Sequence, residues 1–404
     1  MFAFLRNNAP WLTVGAVLTL GSSFGQTFFI SLFAAEIQGQ FGLSHGQWGG
    51  IYATATLTSA AVMIWAGMLT DQFRVRVLAP AIWSVFGAAC LWMAFAQHAW
   101  MLLPIVFLLR FAGQGMSSHI AVVAMSRWFV ASRGKALSIA ALGFAFGEAT
   151  LPIIVVSAFA IFHWQTLWIF AALILACLVP VVWILLGQER TPQTLAQENA
   201  STGMEDRHWT RKDVRKHWMF WMMLPPLMGP PAFNTAFFFH QVHYATTTGL
   251  THIQVVQFFP IYTAIGIGSM LLFGAALDRL GTRRLLPFHQ IPIALAFLCF
   301  ALASDSIGVG VGFVLLGITA GATATLPNAF WAEFFGTRNL GSIKSLATAI
   351  MVLGSALGPG ITGLFLDFGV SLASQYTWIS GYFCITTAIL IIGFSKTPTL
   401  TRAA

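Results

Sequence analysis

Charge is the scarcest property of this 404-residue sequence, because Asp, Glu, Lys and Arg together make up only 8% of it. Soluble domains carry about 25% charged residues. So few charges cannot keep a water-exposed surface of this size soluble, which excludes an ordinary soluble enzyme. Cysteine is scarce too: Cys90, Cys177, Cys299 and Cys384 each lie in a long apolar run. That placement is typical of small apolar packing residues rather than of disulfides or metal ligands.

Recognisable catalytic motifs are also missing from the sequence. It contains no phosphate-binding loop, no nucleophile elbow and no metal-ligand spacing. These absences exclude a pump driven by nucleotide hydrolysis. They also argue against an enzyme, so we expect no metal and no other cofactor.

Apolar residues are correspondingly abundant and make up 57% of the chain. That is roughly 230 residues, and one bilayer-spanning helix needs about 20, so the chain suffices for eleven or twelve spans. The sequence predicts an all-α polytopic membrane protein with twelve transmembrane helices. The predicted spans are 11–36, 47–69, 77–96, 100–125, 136–160, 165–187, 217–241, 254–277, 284–303, 308–332, 344–368 and 374–395.

The positions of the cationic residues predict the orientation of the spans. Nineteen of the 20 Lys and Arg residues fall in alternate loops or at the termini, and the remaining one is Arg110. The positive-inside rule assigns the side that carries them to the cytoplasm. We therefore expect a multi-pass protein with both termini cytoplasmic. Its short loops favour a bacterial inner membrane, and topology accounts for the basic residues without any nucleic-acid partner.

A repeated turn divides the chain into two similar halves. Gly67 and Asp71 after span 2 recur 207 residues later as Gly274 and Asp278 after span 8. Such an internal repeat is typical of a duplicated transporter fold. We therefore predict an N-terminal six-helix bundle over 1–187, a cytoplasmic linker over 188–216 and a C-terminal six-helix bundle over 217–404. The two turns are predicted to act as conformational clasps formed by Gly67, Asp71, Arg74, Gly274, Asp278, Arg279, Arg283 and Arg284.

The second turn resembles the cytoplasmic loop motif of the major facilitator superfamily, Gly-x-x-x-Asp-Arg-x-Gly-x-Arg-Arg, at every key position. In the first turn Gln72 replaces the motif's Arg and Arg74 replaces its second Gly. The resemblance implies two pseudo-symmetric six-helix bundles around a cavity lined by the first, fourth, seventh and tenth helices. A looser resemblance to the monocarboxylate porter and oxalate/formate antiporter branch is carried by Trp128, Phe129, Arg133, Ala136, Ala140, Gly143 and Gly147, by the tracts 341–344 and 354–359 with Asp367, and by 21–25. The branch's acidic residue in span 1, and its buried Asp and Arg in span 8, are missing.

Two charged residues lie deep inside predicted spans. Arg110 is about ten residues into span 4 and Glu148 about twelve residues into span 5, which places both near the bilayer midplane. A lone charge there is costly, so such residues face a cavity or each other. One hypothesis is that Arg110 binds an anionic substrate while Glu148 carries a coupled proton or balances Arg110. The alternative is a structural ion pair between neighbouring helices.

Polar residues in several spans are further candidates for substrate binding. Arg110, Gln114 and Ser117 share one stripe of span 4 at helical spacing. Span 7 contains two Pro-Pro pairs, which predict a broken or kinked helix with backbone groups free to face the cavity. The other candidate ligands are Gln26, Asn234, His240, Tyr262 and Thr323, with Tyr52 and Thr319 as weaker ones.

These expectations favour a secondary transporter of a small organic anion, coupled to protons or exchanging one anion for another. An efflux pump for amphipathic compounds in the same fold is the alternative, since aromatic residues are abundant at 14%. We expect the protein to be a monomer in the lipid bilayer and not an enzyme.

Overall fold

The computed structural model describes residues 2–67, 69–129, 133–187, 203–207, 209–336 and 340–396. Within these ranges the regular structure is helical and no strand occurs. The α-helices, in chain order, are α1 Phe2–Ser22, α2 Thr27–Ile30, α3 Ala34–Phe41, α4 His45–Ala66, α5 Leu69–Gln72, α6 Val75–Ala94, α7 Leu102–Leu109, α8 Ser118–Trp128, α9 Arg133–Ala158, α10 Trp164–Leu185, α11 Arg211–Lys216, α12 Trp218–Phe239, α13 Gln241–Thr247, α14 His252–Val256, α15 Phe259–Leu280, α16 Thr282–Leu285, α17 Ile291–Leu302, α18 Ser306–Phe335, α19 Leu340–Asp367 and α20 Leu372–Ser395. Short 3₁₀ turns occupy Ser23–Gly25, Ser31–Phe33, Ala99–Met101, Met204–Asp206 and Leu286–Phe288, and a π-helix occupies Arg110–Ser117.

Several helical segments are long and apolar enough to cross a membrane. Nine qualify by length and hydropathy within the described residues, or ten when the bent pair Leu5–Gly25 and Thr27–Phe41 counts as one span. The two other predicted spans correspond to α4 and α12, which have 22 residues each but lie outside that set. The chain is therefore an all-α polytopic membrane protein, as predicted.

The chain divides into two compact units. Unit 1 contains Met1–Ala196, Phe238–His243 and Pro359–Leu364, and unit 2 contains Gln197–Phe237, Tyr244–Gly358 and Phe365–Ala404. Residues of α12 and α19 thus contribute to both units. The predicted linker, 188–216, lies outside the described residues at 188–202 and at 208.

Each unit packs around buried aromatic side chains. In unit 1, the rings of Phe29 and Phe33 both contact Trp168, with centroid distances of 5.3 and 4.9 Å. In unit 2, the cluster around Phe330 and Trp331 includes residues from α12, α18, α19 and α20. Aromatic rings bury a large apolar area at low entropic cost, so these clusters hold the helices at fixed spacings.

Span 7 was predicted to be broken or kinked at its prolines, and the structure shows no break. α12 runs from Trp218 to Phe239 with Pro225, Pro226, Pro230 and Pro231 inside it. A proline leaves carbonyl oxygens of the preceding turn without their helical donors. A side chain from outside α12 supplies one replacement: Gln290 donates at 2.5 Å to the Pro226 oxygen, whose helical donor would have been residue Pro230. Tyr382 donates to the neighbouring Pro225 oxygen at 2.6 Å. These two tertiary hydrogen bonds anchor the proline-rich part of the helix.

Candidate functional site

The first span is interrupted in its middle, within unit 1. After the 3₁₀ turn Ser23–Gly25, Gln26 adopts an extended conformation with φ −84° and ψ 157°. The two halves of the span meet there at an angle of 43°. One extended residue removes the local helical hydrogen bonds, so backbone groups beside it become available to other partners.

The fourth span contains an irregularity at the same place. Arg110–Ser117 forms a π-helix between α7 and α8. In a π-helix the hydrogen bonds run from residue i to i+5, and such segments are frequent at functional sites. The predicted stripe of Arg110, Gln114 and Ser117 assumed α-helical spacing, which does not apply across this wider turn.

The two irregular segments touch through glycine. A Cβ built on Gly25 would lie 2.2 Å from the Leu109 oxygen and 2.8 Å from the Gly113 Cα. A Cβ on Gly113 would lie 2.7 Å from the Gly25 Cα. Only glycine permits so close an approach of two backbones. This contact holds the break in the first span against the π-helix that begins at Arg110.

Arg110 is buried at this crossing, with 1% of its surface exposed. Its Nη1 donates to the Gly25 oxygen at 3.1 Å and to Thr27 Oγ1 at 3.3 Å. Thr27 is also hydrogen-bonded to the Tyr52 hydroxyl at 2.5 Å, and the Arg110 guanidinium lies 5.2 Å from the centre of the Tyr52 ring. The break in the first span thus provides the carbonyl that orients Arg110.

Part of the Arg110 guanidinium makes no hydrogen bond to the described part of the chain. Nε and Nη2 of Arg110 are buried and make no hydrogen bond to any described residue. A guanidinium has five N–H donors, and a buried donor left unpaired costs about 1–3 kcal/mol, more when the group is charged. The free edge of Arg110 therefore suits an acceptor with two oxygens, such as a carboxylate or a phosphate.

The predicted pairing of Arg110 with Glu148 is not found. The hydrogen bonds of Arg110 go to Gly25 and Thr27, and no described carboxylate accepts one from it. Glu148 is half-buried on α9, and the preceding Gly147 packs on Ser23, where a Cβ would lie 2.2 Å from the Ser23 side-chain oxygen. Glu148 therefore lies on a helix that packs against the first span, close to its break.

The other predicted ligands of unit 1 differ in how well they are already bonded. Gln26 is the extended residue at the break and is 8% exposed, and Gln114 is half-buried on the π-helix. Ser117 is fully buried, accepts from Trp83 Nε1 at 3.0 Å and donates to the Ala112 oxygen at 2.6 Å. The Ser117 hydroxyl is thus already hydrogen-bonded within the protein in this conformation.

His240 lies in a group of imidazoles in unit 1. Its Nε2 is 3.0 Å from the Pro359 oxygen, and its ring centre is 6.1 Å from that of His45. His45 also lies 4.4 Å from His243. Among the described residues, no group of three or more His, Cys, Asp or Glu side chains has the geometry of a metal site.

The predicted ligands of unit 2 include two unpaired oxygens. Asn234 Oδ1 on α12 and Thr323 Oγ1 on α18 are buried and accept no hydrogen bond from the described residues. Tyr262 on α15 is buried with its ring 6.4 Å from Phe313. Asn234 and Thr323 therefore retain hydrogen-bonding capacity for a ligand.

The residues of the two predicted clasps are partly described. The side chains of Asp71 and Asp278 lie outside the described part of the chain. The Gly67 oxygen lies 3.2 Å from Nε2 of His119, and Arg74 precedes α6 and is exposed. In the second turn Gly274 is half-buried, and Arg283 Nε donates to the Phe394 oxygen at 3.3 Å. Arg279 and Arg284 are exposed.

Sequence reasoning missed Thr27 and underrated Tyr52. Neither carries charge: Thr27 directly follows the break at Gln26 and accepts from Arg110, and Tyr52 on α4 is bonded to Thr27 and lies beside the guanidinium through its ring. The available signal was the position of polar side chains beside the small residues Gly21, Ser22, Ser23 and Gly25 in an otherwise apolar span.

Comparisons with known proteins agree with this architecture. The family model described as Major Facilitator Superfamily matches residues 15–359 and 270–402. A protein named "Triacylglyceride transporter" from Mycobacteroides abscessus is 30% identical over 153 residues, which are 37% of this chain and 29% of that protein. The match thus spans less than a third of the length of this curated relative.

Two solved structures have a similar fold. A bacterial homologue of the human lysosomal transporter Spinster, inward-facing and unoccupied, has a TM-score of 0.71 and 14% identity, covering 96% of this chain and 95% of that chain. The nucleoside transporter NupG has a TM-score of 0.72 and 14% identity, covering 97% and 99%. At such low identity the similarity establishes the fold alone.

Proposed function

Because the chain belongs to the major facilitator superfamily, a family of transporters rather than enzymes, we propose that it is a secondary transporter of a small organic anion. The observation that carries this proposal is the buried edge of Arg110, whose Nε and Nη2 have no described partner. Transport would proceed by alternating access, with the anion either accompanied by protons or exchanged for a second anion.

The chemistry of Arg110 defines the ligand class. A carboxylate accepts two parallel hydrogen bonds from the fork of a guanidinium. In a buried site such a charge-assisted pair replaces the hydration that both ions lose. Thr27 and Gly25 hold Nη1, so Nε and Nη2 remain directed to the ligand. We propose that Gln26 and Gln114 bind other polar groups of the substrate, and that Asn234, Tyr262, His240 and Thr323 are further ligands.

Glu148 is the proposed proton carrier. A carboxyl group inside a span favours the protonated state when it is desolvated, and a nearby anionic substrate strengthens that preference. Binding of an anion would therefore promote proton uptake by Glu148. If the carrier instead exchanges anions, Glu148 balances the charge of Arg110. The E148Q variant should then still exchange anions.

The membrane location and the partners of the protein follow from its proposed role as a transporter. It is a multi-pass membrane protein, and we propose a monomer in a bacterial inner membrane with both termini cytoplasmic. The partners are the organic anion, protons or a counter-anion, and lipid.

Uptake into proteoliposomes tests the proposal. A panel of radiolabelled small carboxylates is offered with and without an inward proton gradient, to wild type, R110Q, R110K and E148Q. R110Q should abolish uptake, and R110K should retain part of it because lysine keeps the charge without the fork. The matched control K212Q removes an exposed cation elsewhere and should transport normally.

Each result distinguishes mechanisms. Uptake that rises with the gradient and is lost in E148Q would support proton symport. Uptake that ignores the gradient but needs an anion inside the vesicles would support exchange. R110Q with wild-type uptake of every anion would overturn the assignment of Arg110, provided that thermal unfolding shows the variant is folded.

A second candidate is a carrier of amphipathic or lipid-like compounds. It is favoured by the relative named "Triacylglyceride transporter", although the match covers 37% of this chain. An uncharged substrate of this kind has no anionic group to accept hydrogen bonds from a buried guanidinium. Fluorescent lipid transport that survives R110Q, together with no uptake of any carboxylate, would favour this candidate.

A further inference from the structure

A cationic cavity lies at one end of unit 2, outside the site described above. It has a volume of about 690 Å³ and opens where α15 ends and α16 begins, beside the ends of α18 and α20. Three of its lining residues are arginines, Arg279, Arg283 and Arg284, and one is an acid, Glu333. The lining therefore carries a net charge of +2 (three cations and one anion).

The backbone turn explains how the arginines come together. Gly281 ends α15 with φ +76°, a conformation that favours glycine. The chain restarts as a helix at Thr282, whose hydroxyl and backbone N–H both donate to Glu333 Oε2. The carboxylate of Glu333 is thus engaged at the turn. None of the three arginines has an ion-pair partner among the described residues.

The three arginines differ in how far their side chains are held by the protein. Arg283 is held by its Nε, which donates to the Phe394 oxygen at 3.3 Å. Arg279 and Arg284 are exposed, so their guanidinium groups can adjust to a ligand. One fixed and two adaptable cations suit a phosphate group, which accepts hydrogen bonds from several directions.

The rest of the cavity is apolar and continues onto an apolar surface. Pro287, Phe334 and Phe394 line it and are buried. Three other lining residues, Leu280, Phe288 and Ile391, are 46%, 53% and 42% exposed. Exposed apolar side chains at the end of membrane-spanning helices contact acyl chains. The cavity therefore offers cations to a head group and an apolar wall to a hydrocarbon tail.

We propose that this cavity binds an anionic glycerophospholipid, with Arg279, Arg283 and Arg284 on its phosphate. The loop charges of the sequence assign this end of the helices to the cytoplasmic side, where anionic lipids concentrate and basic pockets bind their head groups. The inference does not depend on which substrate the protein transports.

The first half of the chain supplies an internal comparison. At the equivalent positions, 207 residues earlier, Gln72 replaces Arg279 and Val77 replaces Arg284. The remaining equivalent arginine, Arg76, lies over the Trp183 ring at 4.4 Å. The repeat thus conserves the turn but not the three cations, and we assign the lipid site to unit 2 alone.

Native mass spectrometry of the purified full-length protein tests this assignment. Wild type, R279Q/R284Q and the control R211Q/K212Q are each titrated with palmitoyl-oleoyl phosphatidylglycerol and, separately, with the matching phosphatidylcholine. R211Q/K212Q removes two exposed cations of the same side without altering the cavity. Because Arg283 is left in place, its bond to Phe394 and the local fold are preserved.

We expect wild type to retain one phosphatidylglycerol that R279Q/R284Q loses. Each cation near an anionic lipid strengthens binding about fivefold, so the double variant should bind about 20- to 30-fold more weakly. R211Q/K212Q should bind as wild type does, and phosphatidylcholine should bind all three proteins equally weakly. The triple variant R279K/R283K/R284K, which keeps the charge, should recover most of the binding.

Three results would overturn the proposal. The first is equal retention of phosphatidylglycerol by wild type and R279Q/R284Q. The second is an equal loss in R211Q/K212Q, which would mean that net charge alone attracts the lipid. The third is displacement of the lipid by millimolar inorganic phosphate, which would mean that the cavity binds a free anion and that its apolar wall is not used.

Discussion

Gly25 and Gly113 face each other without any side chain between them, so that a Cβ on either would lie within 2.8 Å of the other's Cα. The contact joins the break in the first span to the π-helix of the fourth. Because both partners are backbone, neither can move aside to make room for a methyl group.

Substitution G25A should therefore destabilise unit 1. The added Cβ would meet the Leu109 oxygen at 2.2 Å, and overpacking of this kind costs about 1–3 kcal/mol. Thermal unfolding in detergent measures the effect. The control G50A adds a methyl group to α4 with no atom within 4 Å, so it should be neutral or slightly stabilising. Equal melting temperatures for G25A and G50A would contradict the close contact.

Removing the Tyr52 hydroxyl should weaken substrate binding more than folding. Y52F keeps the ring under the Arg110 guanidinium but deletes the bond of 2.5 Å to Thr27. Thr27 then loses the partner that orients it toward Arg110. We expect KM for the transported anion to rise several-fold with little change in unfolding temperature. A variant with unchanged KM would show that Thr27 holds Arg110 without Tyr52.

Ser117 and Gln26 should respond differently to alanine substitution. In S117A, Trp83 Nε1 loses its acceptor in a buried site, which costs about 1–3 kcal/mol of stability. Gln26 has no described side-chain hydrogen bond, so Q26A should mainly change KM. Measuring KM and thermal unfolding for both variants separates the roles. A rise in KM without destabilisation in S117A would restore Ser117 to the predicted ligands.

Gln290 should be required for the stability of unit 2. Its amide donates to the Pro226 oxygen at 2.5 Å and accepts from Thr386 at 2.6 Å, and its side chain is fully buried. Q290L would leave the Pro226 oxygen unpaired and lower the free energy of unfolding by about 1–3 kcal/mol. Thr386 keeps an acceptor, because its hydroxyl also donates to the Phe383 oxygen at 3.1 Å. The control T377V removes an exposed hydroxyl bonded within its own helix. If Q290L unfolds at the temperature of T377V, the proline-rich helix does not need this support.

Acidification should destabilise the region around His243, which lies on α13 outside the predicted spans. Burial lowers the pKa of His243, and the neighbouring His45 lowers it further. His240 is the third imidazole of the group. A histidine whose pKa is lowered by folding stays neutral in the native state, while the unfolded chain is protonated below about pH 6.5. Its contribution to stability is therefore complete above that pH and is lost as the pH falls toward the lowered pKa.

Unfolding temperatures at pH 7.5 and pH 5.5 measure this effect. The drop on acidification should be smaller in H243N than in wild type, since an asparagine side chain does not titrate. H98N, at an exposed histidine, should keep the wild-type drop. An undiminished drop in H243N would assign the pH dependence to other groups.

The sequence was sufficient for the helical membrane architecture and for identifying Arg110 as a charge inside a span. Both depend on composition along the chain, since apolar runs and one isolated cation are visible without tertiary structure. The geometry around Arg110 was not predictable in the same way. The break at Gln26 contains no proline, so the rules for helix breakers do not predict it. Local rules likewise give Arg110–Ser117 as part of a regular helix, whereas the structure has a π-helix there.

Span 7 shows the converse. Four prolines predict a broken or kinked helix by local rules, and the helix is continuous. The Pro226 oxygen, which Pro230 leaves without a helical donor, accepts a hydrogen bond from Gln290, 64 residues away. Long-range partners of this kind cannot be identified from a single sequence. The hydrogen bonds of Arg110 go to Gly25 and Thr27 rather than to Glu148, and depth in the membrane could not predict this because it gives the height of a residue but not its direction around the helix.

The π-helix of the fourth span stores surplus chain. If its wide turns relaxed to α-helical turns, one residue would be released from the wide turn. The segment that follows would then move along the helix axis by about 1.5 Å per released residue and would rotate about that axis. Arg110 is the first residue of this segment and α8 follows its last residue. Such a relaxation would therefore change both the height and the rotation of α8 relative to Arg110.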